Sequence, residues 1–144
     1  MNSKSKQAGW WFLAAFAVSA FAQQPPDERA RLTGNWTGES ICVNREKFPA
    51  CKDEQVIYRL VPARDKANII NITMDKLVAG KPETMGDSDF TYDRQRGTLV
   101  SEYTYNKNHL LWEFTVKGAV MEGTLTALPE KTLVRRIKVT KDTR

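Results

Sequence analysis

The side chains best equipped for chemistry are few in this chain: one histidine, His109, two cysteines, Cys42 and Cys51, and carboxylates grouped at Asp53-Glu54 and at Asp87, Asp89 and Asp93. A lone imidazole at the start of an apolar run has no fixed partner, and nucleophilic or acid–base catalysis needs one. Asp53 and Glu54 are neighbours on an extended segment, so their side chains point to opposite faces and do not form an acid–base pair. Glu54 alone would matter if it were buried, because burial is what perturbs a carboxylate. Asp87, Asp89 and Asp93 lack the central glycine and the bidentate glutamate of a calcium loop and read as a solvated turn. No Gly-rich phosphate loop, G-x-S-x-G or Ser-His-Asp arrangement occurs. These residues predict a protein that is not an enzyme, with no catalytic residue, no metal site and no cofactor.

The cysteines point to a compartment. Lys4 and Lys6 precede an apolar run from Trp10 to Ala20, and Ala20-Phe21-Ala22 is an A-x-A site. That three-zone layout is a secretory signal peptide over residues 1–22, with an apolar run shorter than the ~20 residues of a membrane span. A periplasmic or secreted protein follows, and in an oxidising compartment an isolated C-x₈-C pair is a structural disulfide between Cys42 and Cys51. With that segment removed, Lys+Arg falls from 22 to 20 against 17 acids, leaving +3. The excess is diffuse, which excludes a phosphate-tracking nucleic-acid surface, and no membrane insertion is expected after cleavage.

The aromatics carry more information. Under strand alternation Tyr58, Phe90, Tyr92, Tyr103, Tyr105, Trp112 and Phe114 share inward faces. They either fill the interior or line a pocket, with hydroxyls as the few polar groups that orient a ligand. Tyr58, Tyr92, Tyr103 and Trp112 are the candidate ligand-binding residues, because each combines apolar area with a polar handle.

The elements that would position them are strands. Residues 23–33 form a lead-in whose Asp27 to Leu32 segment fits one or two helical turns ended by Gly34. From residue 34 to residue 144 the period is 2. Strands are expected at about Asn35–Val43, Glu54–Pro62, Ala67–Met74, Asp89–Asp93, Thr98–Tyr105, His109–Lys117, Ala119–Ala127 and Thr132–Thr140. Lys76 to Met85 reads as two shorter ones about a Gly80-Lys81-Pro82 turn. Eight to ten antiparallel strands in sequential hairpins predict an all-β up-and-down meander, closed into a barrel rather than a sandwich because closure removes the edges.

Gly34-Asn35-Trp36, placed after a helical turn and inside the first strand, resembles the G-x-W signature of lipocalins. The resemblance implies a calycin-type barrel whose Trp36 is covered at the closed end by an arginine of the last strand. Alternation puts Arg135, and not Arg136, on the inward face. The Cys pair, Asp53-Glu54, Tyr58, Met85-Gly86, Phe90-x-Tyr92, Trp112-x-Phe114 and Met121-Glu122-Gly123-Thr124-Leu125 resemble small exported bacterial proteins of lipocalin-like architecture. The chain is short for a lipocalin and lacks the long helix before the last strand, so the wider calycin-type barrel is the better description. The function expected is non-catalytic binding of a small, largely apolar molecule. The alternative is a solid-core structural or interaction protein of the cell envelope. Oligomeric state is left open.

Overall fold

The computed structural model describes residues 27–143; the predicted signal peptide and the start of the lead-in lie outside them. One 3-10 turn, Glu28–Arg31, precedes eight strands: β1 (Gly34–Cys42), β2 (Glu54–Pro62), β3 (Ile69–Val78), β4 (Lys81–Asp93), β5 (Thr98–Tyr105), β6 (Asn108–Lys117), β7 (Val120–Leu128) and β8 (Thr132–Lys141). Each pairs antiparallel with the next, and β8 pairs with β1, so the meander closes into an up-and-down barrel without a free edge. No helix among the described residues is long and apolar enough to cross a membrane.

Alternation along each strand builds the interior. On β2, Val56, Tyr58 and Leu60 are buried, while Gln55 is exposed and Ile57 and Arg59 are partly so. Phe90, Leu99, Trp112, Phe114, Met121, Ile137 and Val139 continue this core around the wall. The segment between Lys76 and Met85 differs from expectation. It is a single long hairpin in which β3 and β4 meet at Ala79-Gly80, both at positive φ, and not a pair of separate short strands. Asp87 and Asp89 accordingly lie on β4, where Asn71 Nδ2 donates to both, and not in a turn.

The 3-10 turn closes one end. Asp27 caps it by accepting from Arg29 N, and Arg29 Nη1 donates to the carbonyls of Ala63, Lys66 and Ile69 across the β2–β3 connection. Leu32 is thereby held beneath the barrel, where its carbonyl accepts from the buried Trp36 Nε1 at 2.9 Å. The late basic residue at this end is Lys141, not Arg135. In the β1–β8 register Trp36 faces Lys141, whose Nζ donates to Arg31 O, whereas Arg135 faces Cys42. Six residues of strand separate the two positions, about 20 Å at the usual rise. Alternation predicted the inward face of Arg135 correctly, but antiparallel pairing sends the start of β8 to the end of the barrel away from Trp36.

Candidate functional site

The interior divides into a filled half and an open half. Toward the closed end, Phe114 sits against Tyr58 edge-on at 6.0 Å and against Phe90 at 5.7 Å, so the rings occupy the cross-section. Trp112, two residues earlier on β6, stacks on Phe114 at 5.7 Å and 12° and forms a floor. Beyond it toward the opposite end lies a cavity of about 450 Å³, bounded by residues of β1 to β8 including Ser40, Glu54, Met74, Met85, Tyr103, Leu110, Leu125 and Arg135. Two β-bulges shape its rim. The register of β4 against β3 shifts between Met74 and Asp75, leaving Met85 as an extra residue over the opening. The register of β8 against β7 shifts beside Leu125, with Val134 extra and Arg135 turned inward.

Three of the four candidate ligand residues meet here. Tyr58, Tyr103 and Trp112 line the cavity, and Trp112 Nε1 donates to the Tyr103 hydroxyl at 3.2 Å. Tyr92 does not join them. It lies near the closed end, where its backbone N–H donates to Asn68 O and its side chain borders a shallow groove with Asp27, Arg29 and Arg94. The cause is again strand direction. β4 runs from the open end to the closed end, so Tyr92, near its end, is carried away from Tyr103, near the end of the oppositely directed β5. Tyr105 keeps the inward parity but projects past the rim and is 63% exposed.

Three polar side chains of the cavity, Arg135, Glu54 and Ser40, form one cluster. Arg135 Nη1 donates to Ser40 Oγ at 3.0 Å and lies 3.3 Å from Glu54 Oε2, with both charged side chains largely buried. Tyr58 is fully buried, and its hydroxyl makes no hydrogen bond; Ser40 lies near it without satisfying hydrogen-bond geometry. Burial pushes the Tyr58 hydroxyl well above the ordinary tyrosine value, only partly offset by the Arg135 charge. Tyr103 is raised too, first by burial, against the lowering influence of the Trp112 N–H and Arg135.

Sequence reasoning passed over Ser40 and placed Arg135 at the other end of the barrel, whereas Glu54, the acid that burial would make significant, is largely buried here. The signal for them was the pairing of Cys42 with Arg135 across the β1–β8 seam, which the sequence does not print. Asp53 takes no part in the cavity. It accepts from Cys42 N at 2.8 Å and pairs with Arg45, and these two contacts hold its carboxyl below the usual carboxylate range. The disulfide joins Cys42 to Cys51, closing the loop from β1 to β2 beside the opening, with Phe48 packed against the core. His109 Nε2 lies 2.6 Å from Glu102 Oε1, both half exposed on the outside, and neither lines the cavity. No cluster of His, Cys, Asp or Glu suited to a metal ion occurs among the described residues.

No protein-family model matches the sequence, and no curated protein matches it. Among solved structures, a redesigned β-barrel superposes with a TM-score of 0.56 at 12% identity, covering 79% of this chain and 94% of its own. The siderocalin Ex-FABP, described as functioning through dual ligand specificities, gives a TM-score of 0.39 at 11% identity over 79% of this chain and 76% of its own. At such identity the likeness to the redesigned barrel is one of architecture alone: an eight-stranded, closed antiparallel barrel.

Proposed function

We propose that this protein binds a small, largely apolar molecule reversibly at the open end of the barrel, without chemical turnover. The observation that carries this reading is the cavity itself. Its volume, about 450 Å³, falls inside the roughly 300–1,000 Å³ span of small-molecule sites. Its wall combines Met74, Leu110, Leu125 and the Trp112 ring with a few converging polar groups, the composition such sites have. A barrel of eight strands is only just wide enough for its own side chains, so an unfilled half needs an occupant or water. The placement of His109 outside the cavity, paired with Glu102, and the pairing of Glu54 with Arg135 support binding over catalysis, since no imidazole reaches the Ser40 hydroxyl and the one buried acid beside it is engaged by a cation. The exported location proposed from residues 1–22 agrees with the disulfide, which persists in oxidising compartments.

The test is titration with an apolar fluorescent probe. Saturable binding is expected, and Trp112→Ala should weaken it about fivefold or more, as losing 1 kcal/mol or more of wall contact would. Native mass spectrometry of protein from its own compartment should show a co-purifying small molecule. Probe binding that is absent, or unchanged by Trp112→Ala, would favour the solid scaffold with an interaction role.

A further inference from the structure

We infer that the polar cluster beside the Trp112 floor of the cavity selects an uncharged hydroxyl- or amide-bearing amphiphile over a fatty carboxylate or an amine. This inference rests on the binding reading above and names the ligand class for the same site. Arg135 is the cation of the cavity, and a buried guanidinium would ordinarily attract an anionic head. Here it is already matched: Glu54 Oε2 lies 3.3 Å from Nη1, and Ser40 presents both its hydroxyl, at 3.0 Å, and its carbonyl, at 3.4 Å, to the same nitrogen. A carboxylate entering this cluster would face the Glu54 charge in a poorly screened setting. An ammonium would face Arg135 in the same way. Neither charge sign gains without displacing the existing pair, and breaking a desolvated pair is costly.

An uncharged head meets a different situation. The Tyr58 hydroxyl is buried without a partner, and leaving such a group unmade costs free energy that a ligand can recover. Tyr58 lies on the inward face of β2 and borders the cavity together with Arg135, Glu54 and Tyr103. It can donate to a ligand oxygen, and Glu54 can accept from a ligand hydroxyl or amide N–H. Tyr103 is turned the same way, its oxygen already accepting from Trp112 Nε1 and its own proton left to donate. One donor–acceptor head therefore satisfies these groups without adding a charge, while an alkyl or aryl tail lies along Met74, Leu110 and Leu125 toward Met85.

Competition for the bound fluorescent probe reads this directly, with dodecanol, dodecanoate, dodecylamine and a dodecyl sulfobetaine as competitors of matched tail. Dodecanol should displace the probe at about tenfold lower concentration than any charged analogue. These molecules differ in their partitioning into any apolar site, so the decisive quantity is how their ratio changes with these polar groups. In Glu54→Gln, which leaves Arg135 unmatched, dodecanoate should gain about tenfold on dodecanol. In Tyr58→Phe, dodecanol should lose about fivefold while dodecanoate changes little. A ratio unmoved by both substitutions would overturn the inference, as would dodecanoate, the amine or the sulfobetaine matching dodecanol on the unsubstituted protein. Those results with the probe still bound would leave the binding reading intact. A probe that never binds would remove both.

Discussion

At the residue scale, the arrangement around Arg135 shows why one buried charge changes the reading of a whole cavity. Its partner Glu54 comes from β2 and its hydroxyl acceptor Ser40 from β1, so three consecutive strands of the closed ring, β8, β1 and β2, meet at one guanidinium. Arg136, next in sequence, points outward and is exposed. Arg135→Ala should destabilise the fold by about 1–3 kcal/mol, since it strands Glu54 partly buried and unpaired, whereas Arg136→Ala should cost under about 0.5 kcal/mol. The pair Arg135→Met with Glu54→Leu should recover most of that loss, because apolar replacement removes the desolvated charges together. Denaturant titration of the three variants measures these differences. Equal effects of the two single arginine substitutions would mean that Arg135 is not held in the cluster.

At the element scale, the barrel depends on strands approaching where side chains would obstruct them. Gly38 on β1 faces Val139 on β8, and a Cβ there would collide with the Lys138 carbonyl and the Val139 Cα, both backbone. Gly123 on β7 leaves the space that the Phe114 ring occupies on β6. Gly38→Ala and Gly123→Ala should each cost about 2–3 kcal/mol, the usual penalty of overpacking. Gly80, at φ 77° with open space around it, should cost only about 1–2 kcal/mol on replacement by Ala, from left-handed backbone strain alone. Thermal melts of the three variants rank them. The loop from β1 to β2 is stabilised differently, by the Cys42–Cys51 bond with a sequence separation of 9. Replacing both cysteines by serine should lower stability by about 2–3 kcal/mol on the chain-entropy estimate, measured against the oxidised protein. Thiol titration of the denatured, unreduced protein should find no free thiol.

At the scale of the whole molecule, the folded barrel behaves as a proton reservoir at high pH through its buried tyrosines. Burial keeps the Tyr58 hydroxyl protonated above the ordinary value of 10.0, while the unfolded chain releases that proton near it. The native state then holds more protons than the unfolded state. Stability from this group is therefore complete below about pH 10 and is lost as pH rises toward the folded value, at up to about 1.4 kcal/mol per pH unit. Tyr103, raised in the same direction, adds to the slope. Urea midpoints between pH 8 and 11 should fall in the unsubstituted protein and fall less steeply in Tyr58→Phe. Parallel curves would show that the Tyr58 hydroxyl reaches solvent in the native state.

Much of this architecture was legible in the chain because strand alternation is local. The limits of β2 and β5, the inward parity of Tyr58, Trp112, Phe114 and Arg135 and the closed meander follow from a period of 2 and from turn chemistry, and the disulfide from an isolated cysteine pair behind an export-type N-terminus. Alternation reports which face a side chain takes. It does not report how far along the barrel axis that side chain lies, since height depends on strand direction, hairpin length and bulges summed around the ring. That is why Tyr92 and Arg135 had the right parity and the wrong end, and why β3 and β4 joined into one long hairpin through Ala79-Gly80. The Glu54–Arg135–Ser40 cluster and the unpartnered Tyr58 hydroxyl were decided by tertiary structure alone. They exist only where β8 closes onto β1, and the stagger of that closure is a property of all eight strands together.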